Sequence, residues 1–129
     1  MTQTTFMDKY PINSLEIPKN KTTITNIDEI LSYFKDKIIE HPIATFISIF
    51  DHYAHTQSIN GEINPEIKNA KNIIFCFGSA IPNTKILSVR PRSIGVAELE
   101  DSFMIEFMDA PKEDIQKLLI TWSKELILK

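Results

Sequence analysis

The strongest pattern in the chain is an apolar stripe at helical spacing in its first third. Apolar residues recur every three or four positions, as on one face of an amphipathic helix. They are Ile27, Ile30, Leu31, Phe34 and Ile38. Asn26 followed by Glu29 forms a capping-box pattern that starts this helix. His41-Pro42 ends it, because the residue before a proline is disfavoured in the α region.

A second stripe of the same kind lies at the end of the chain. Asp109, Ala110 and Pro111 have the composition of a helix start. The apolar face that follows consists of Ile115, Leu118, Leu119, Trp122 and Leu126. The pattern therefore predicts a closing amphipathic helix.

Between and before the helices, shorter apolar runs of alternating, β-branched or aromatic residues predict strands. These runs are Ile12–Pro18, Ala44–Phe50, Asn72–Gly78, Ile94–Glu100 and Ser102–Met108. The last two form a hairpin over a tight acidic turn. Residues 51–72 are mostly polar and are expected to connect two strands, with a turn at Asn60-Gly61 and a short helical turn that starts at Pro65. Residues 79–93 contain Pro82 and Pro91 and predict a short helix or an edge strand.

The resulting order predicts an α+β fold. Two amphipathic helices on one face of a mainly antiparallel sheet bury both stripes, which gives a two-layer sandwich with the order β-α-β(4)-α. No repeat, low-complexity tract or linker interrupts the chain, so we expect residues 1–129 to form a single α+β domain.

Composition then narrows the classes of function. The net charge of −3 argues against a general nucleic-acid binder, which needs a surplus of cations. The single cysteine, Cys76, suits a reducing compartment. The first residues lack the features of a secretory signal, and no apolar run is long enough to span a bilayer. We expect a cytoplasmic protein that binds neither nucleic acid nor membrane.

From about Ala44 to Pro111 the chain carries a series of short motifs in a recognisable order. Apolar strands end in Asp51-His52 and in Phe77-Gly78, and a polar stretch between them leads to Pro65. A segment from Pro91 to Gly95 and a hairpin reaching Asp109–Pro111 follow. In these motifs the chain resembles an uncharacterised bacterial family, the domain-of-unknown-function 302 family.

The resemblance implies an architecture and no activity. It implies a β-α-β(4)-α sandwich similar to TATA-binding-protein-like folds, often found as a dimer. DNA binding does not follow from it, because a shared fold does not carry a shared function.

The first candidate site is the polar cluster Asp51, His52 and His55, which follows an apolar strand. Its side chains either bond free backbone groups at the strand end, or bind a ligand in a cleft, or contribute to a metal site. Further metal ligands are remote in sequence, and no HExxH or CxxC pattern is present. We therefore assign no metal site, and the sequence leaves any cofactor unknown.

Two further candidates are Cys76 and the basic segment Arg90-Pro91-Arg92. Cys76 lies among aromatic residues and packs as a small hydrophobe, unless it is exposed beside His52 or His55 as a nucleophile. Arg90 and Arg92 clamp a carboxylate or phosphate, pair with the acidic cluster Glu98, Glu100 and Asp101, or are simply solvated.

The strands at 72–78 and 102–108 carry apolar residues on both faces. Because two helices cover only one face, the other face needs a partner, a ligand or a lid, and we predict a homodimer. The leading hypothesis is a small dimeric, non-catalytic module that binds a small ligand or a protein near Asp51, His52, His55, Arg90 and Arg92. The alternative is an enzyme or redox protein that uses a metal, haem or a Cys-His pair; no residue is assigned as catalytic.

Overall fold

A computed structural model describes residues 1–128, which form six strands and three α helices. The strands are β1 (Thr2–Phe6), β2 (Tyr10–Pro18), β3 (Thr45–Phe50), β4 (Asn69–Cys76), β5 (Arg92–Glu98) and β6 (Ser102–Met108). The helices are α1 (Ile27–Glu40), α2 (His52–Ser58) and α3 (Glu113–Leu126). Short 3₁₀ turns cover Lys19–Lys21 and Thr84–Ser88.

The strands form one sheet in the order β1-β2-β6-β5-β4-β3, and every neighbouring pair is antiparallel. The predicted α+β class is confirmed. The hairpin of β5 and β6 is also present, with Gly95 opposite Glu106 and Val96 opposite Ile105.

The hydrophobic core lies between one face of the sheet and the helices α1 and α3. The stripe predicted for α1 is buried along its whole length, from Ile27 to Ile38. On α3, Leu119, Trp122 and Leu126 are buried, whereas the stripe members before them are only half-buried. The Tyr33 hydroxyl of α1 donates to the Trp122 carbonyl of α3 at 2.6 Å and ties the two helices together.

The N-terminus of α1 is capped as the sequence predicts, with one difference. The Asn26 side chain accepts a hydrogen bond from the Glu29 backbone N–H at 3.1 Å. The Glu29 carboxylate, however, accepts from the backbone N–H and hydroxyl of Thr25, one residue before the cap. No helix within residues 1–128 is long and apolar enough to cross a membrane.

The strand β1 was not predicted, so the sheet has one strand more than the β-α-β(4)-α order. β1 pairs with β2, with Thr2 opposite Ser14 and Phe6 opposite Tyr10. All its residues are exposed, so the strand has no buried face that would require alternating apolar residues in the sequence. The turn that follows places Met7 and Asp8 in the left-handed region, at φ 55° and 56°, without a glycine or asparagine to signal it.

The helix α2 was also not predicted, because the sequence analysis assigned residues 51–72 to a polar connection. This helix has no buried residue and is only 7 residues long, so it lacks an apolar stripe. The predicted start of α3 at 109–111 is wrong as well: the helix begins at Glu113, after the cap residue Lys112.

The face of the sheet away from α1 and α3 carries a polar row across its centre. One rung of the ladder aligns Ser14, Glu106, Gly95 and Asn72 on neighbouring strands. The Glu106 carboxylate accepts from the Ser14 hydroxyl at 2.7 Å. This face is therefore less apolar than the sequence of β4 and β6 suggests.

Candidate functional site

The cluster Asp51, His52 and His55 forms the start of α2. The Asp51 carboxylate caps this helix by accepting from the Ala54 backbone N–H at 2.9 Å, and it lies 3.9 Å from the Lys71 ammonium. His52 and His55 are exposed, and their rings lie 5.2 and 5.6 Å from the Phe50 ring, centroid to centroid. The cap explains why a polar residue follows β3.

The His52 ring has one further polar neighbour, since its Nδ1 lies 3.4 Å from the Asn72 side-chain oxygen. Cys76 is four residues further along β4, or about 13 Å at the rise of a strand, too far for a Cys-His pair with His52. The Cys76 sulfur is half-buried and accepts from the Gly78 backbone N–H at 3.4 Å. Within residues 1–128 no group of three or more His, Cys, Asp or Glu side chains is placed to hold a metal ion.

Arg90 and Arg92 lie at a different place, where the end of the sheet meets the start of α3. They line a pocket with a volume of about 390 Å³, called the arginine pocket below. Its other lining residues are His41, Ile43, Phe77, Gly78, Ser79, Ile86, Val89, Ala110, Pro111, Lys112, Asp114, Ile115 and Leu118. The structure thus brings the two arginines together with His41. His52 lines another depression, beside Tyr53 and Thr56.

Arg92 reaches the pocket from the helix-facing side of β5, where it stands opposite Phe75. Its Nη2 donates to the carbonyls of Met108 at 2.6 Å and Asp109 at 2.9 Å. The Nε atom is buried and has no hydrogen-bond partner among the described residues. Burial lowers the pKa of the Arg92 guanidinium, and the nearby Asp109 carboxylate partly offsets that effect.

Arg92 is also among the residues that line a second groove, on the open face of the sheet. Asn72, Gly95 and Glu106 line this groove, which has a volume of about 390 Å³. His52 is linked to the groove through its contact with Asn72. The predicted residues therefore fall into two groups, and the groove lined by both Arg92 and Asn72 lies between them.

Arg90 is held against the backbone at Gly78. Its Nη1 donates to the Ala80 carbonyl at 2.7 Å. A Cβ atom on Gly78 would overlap the Arg90 guanidinium. The guanidinium can therefore pack against the backbone only because position 78 has no side chain. This contact explains the glycine that follows the apolar run of β4.

The wall on the α1 side is formed by His41, the cap residue at the end of that helix. Its Nδ1 accepts from the backbone N–H groups of Ile43 and Ala44, both at 3.2 Å. These two bonds assign the tautomer with the proton on Nε2. The His41 ring packs edge-on against Phe77 with centroids 5.0 Å apart.

Asp109 holds the connection between β6 and α3 beside the pocket. Its carboxylate accepts from the side-chain amides of Gln3, Asn13 and Gln116, at distances of 2.7 to 3.0 Å. Asn13 is almost fully buried. Asp109, the first of the residues expected to start α3, is thus engaged in contacts with β1, β2 and α3 ahead of the helix.

The alternative role of the arginines, pairing with the acidic cluster at 98–101, is wrong for its two glutamates. Glu98 pairs with Lys19 at 2.7 Å, and Glu100 lies 3.7 Å from the Lys68 ammonium. No ion pair of Arg90 or Arg92 is present within residues 1–128.

Sequence reasoning identified the two arginines but not the rest of their pocket. His41 was interpreted as a helix end and a remote metal-ligand candidate, and the half-buried Ile115 and Leu118 as core residues. Ile115 and Leu118 are incompletely buried because of where α3 crosses the sheet, and this position cannot be predicted from the local sequence pattern. The close spacing of the two arginines was the available signal.

Comparison with known families gives one match. The model of a family described as "Family of unknown function (DUF6858)" matches residues 1–128. The chain belongs to the DUF6858 family. The expectation of an uncharacterised domain is confirmed in that form, and the DUF6858 match covers nearly the whole sequence. No curated protein matches the chain. No solved structure matches it either.

Proposed function

We propose that this DUF6858 chain is a non-catalytic module that binds a small molecule in the arginine pocket and acts as a homodimer. The observation that carries the binding proposal is a pocket with mainly apolar walls on which a few polar groups converge. Its volume of about 390 Å³ is within the range of small-molecule sites, which runs from about 300 to 1,000 Å³.

The position of the pocket supports the same proposal. Its walls come from the end of α1, the segment after β4, the start of β5 and the first turns of α3. Ile115 and Leu118 are partly exposed where the α3 stripe leaves the core. A ligand with an apolar body would complete their burial, at a gain of roughly 25 cal/mol per Å² of apolar surface.

The binding proposal is tested by mapping amide chemical shifts during titration with 1-octanol, a neutral probe with an apolar body. We expect shifts that saturate and that cluster at Val89, Ile115 and Leu118. The Ile115→Trp variant, which fills the pocket, should lose these shifts. Ile39→Trp, at an exposed position of α1 outside the pocket, should keep them. Scattered shifts without saturation would contradict the proposal.

The dimer proposal is supported by the edge strand β3. The sheet ends at β3, so one side of its backbone has no strand partner among residues 1–128. The strand contains no charged residue, and Ile47, Ile49 and Phe50 are all more than 40% exposed. An uncharged, apolar edge is what a second copy of the chain can pair with across a twofold axis.

Several finer expectations remain part of this proposal. They are a relationship to the domain-of-unknown-function 302 family, a bacterial source, a cytoplasmic location, and no binding to nucleic acid or membranes. A role of Asp51, His52 and His55 in ligand binding also stays a prediction. Its support is the contact between His52 and Asn72, which lines the groove that Arg92 shares.

A further inference from the structure

We propose that the ligand of the arginine pocket is an amphipathic anion, with an apolar body and a carboxylate or phosphate head that Arg90 and Arg92 bind. This inference rests on the proposed binding function and adds the chemical class of the ligand. Two guanidiniums at one site are suited to an oxyanion, because their planar forks can donate two parallel hydrogen bonds.

The distribution of charge in the chain supports this class. The sequence contains only two arginines, at positions 90 and 92, and both line the same pocket although the chain carries a net charge of −3. Lys112 lines the pocket as well, and Asp114 is the carboxylate that lines it. Three cations around one mainly apolar cavity favour an anion over a cation or a neutral molecule.

The state of Arg92 indicates where the head of the ligand binds. Burial removes water from this guanidinium, and its Nη2 is already used by two backbone carbonyls. The buried Nε has no protein acceptor within residues 1–128. The nearby Asp109 carboxylate is occupied by three side-chain amides. A ligand oxyanion would supply the hydrogen-bond acceptor that the Arg92 Nε lacks and would add a counter-charge to that of Asp109.

Arg90 is placed to complete the clamp. Within residues 1–128 its one hydrogen bond is from Nη1 to the Ala80 carbonyl, so Nε and Nη2 keep their donors for a ligand. Packing against Gly78 holds the guanidinium beside the pocket, and Arg90 remains half-buried. The apolar body of the ligand would then lie against Phe77, Ile115 and Leu118.

The first experiment compares four probes with the same apolar chain by isothermal titration calorimetry. They are octanoate, octyl phosphate, octylamine and 1-octanol, each kept below its micelle concentration. We expect at least one of the two anions to bind about tenfold or more tightly than octanol, and octylamine to bind most weakly. That ratio corresponds to one charge-assisted hydrogen bond.

The second experiment removes or displaces the guanidiniums. Arg90→Gln should weaken binding of the preferred anion about tenfold and leave octanol binding unchanged. Lys85→Gln is the matched control, because Lys85 belongs to the same 3₁₀ turn as Ile86 but does not line the pocket. Arg92→Lys keeps the charge and loses the fork, and it should weaken anion binding by a similar factor.

Gly78→Ala gives an independent test without any change of charge. The backbone at Gly78 does not have a positive φ, so alanine fits the main chain. The new methyl group must, however, displace the Arg90 guanidinium from its position against the backbone. We expect this variant to lose anion affinity to about the same extent as Arg90→Gln and to unfold at the same urea concentration as the parent chain.

The outcomes separate this inference from the proposed function. If octanol binds in the pocket as tightly as the anions, or if Arg90→Gln and Gly78→Ala leave anion affinity unchanged, the anion inference is wrong and the binding module stands. If none of the four probes binds, the proposed function itself is overturned.

Discussion

Asp109 shows how a single carboxylate can organise one end of a small domain. It accepts from amides of β1, β2 and α3, through Gln3, Asn13 and Gln116. The backbone carbonyl of the same residue accepts from Arg92. The residue thereby ties Arg92 and the first turn of α3 to the strands β1 and β2.

Replacing Asp109 with asparagine should therefore destabilise the fold. All three side-chain partners are N–H donors, and the substitution turns one acceptor oxygen into a fourth donor. We expect a loss of about 1–2 kcal/mol in the free energy of unfolding, measured by urea denaturation. Glu106→Gln makes the same chemical change on β6, where the partner is the Ser14 hydroxyl, which can also accept. A loss as large as that of Asp109→Asn in this control would contradict the explanation.

Tyr33 makes the free energy of unfolding depend on pH in the alkaline range. Burial, with a smaller contribution from the Glu125 charge, raises the pKa of its phenol to about 12 in the folded chain. The unfolded chain loses this proton near pH 10, so it binds fewer protons than the folded chain between pH 10 and 12. The contribution of the neutral phenol to stability is complete below pH 10 and is lost as the pH rises towards 12.

Urea denaturation at pH 9, 10 and 11 tests this prediction. We expect the stability of the parent chain to fall with pH more steeply than that of Tyr33→Phe, which has no proton to lose. The slopes are compared, because removing the hydroxyl also removes its bond to the Trp122 carbonyl at every pH. Tyr10→Phe, at an exposed position, should retain the slope of the parent chain. Equal slopes for the parent and Tyr33→Phe would show that this phenol does not control the effect.

At the scale of elements, a helix or strand can be predicted from the sequence when one of its faces is buried. The helix α1 and the strand β6 bury a regular face, and their periodicity is visible along the chain. β1 and α2 bury nothing, so their residues carry no constraint on polarity. β1 exists because β2 offers it an edge, and α2 because Asp51 caps it. Such elements depend on neighbours that a local pattern does not contain.

The same reason limits prediction of the site. The arginines could be recognised because their chemistry is unusual in this chain, whatever the fold. His41 and Leu118 come from helices at opposite ends of the sequence, and only the packing of α1 and α3 on the sheet brings them to one pocket. A single sequence therefore indicates which residues have the chemistry to bind an anion, and the fold shows which surfaces surround these residues.

At the scale of the whole molecule, the two edges of the sheet differ. β1 consists mainly of polar residues at one edge, whereas β3 at the other edge is uncharged with exposed isoleucines and a phenylalanine. Natural sheets commonly protect a free edge with charge, proline or a short strand, and β3 has no charge and no proline. Pairing of two β3 strands would bury this edge in a closed, twofold interface.

Light scattering coupled to gel filtration should therefore give a mass of twice 14.8 kDa. Ile47→Lys places a charge on the exposed β3 edge and should shift the protein to a species of 14.8 kDa. Thr4→Lys is the matched control at the centre of the opposite edge strand, and it should leave the dimer intact. A mass of 14.8 kDa for the parent chain across a range of concentrations would contradict the dimer. A dimer that survives Ile47→Lys would instead move the interface away from β3, to the open face where Met108 is exposed.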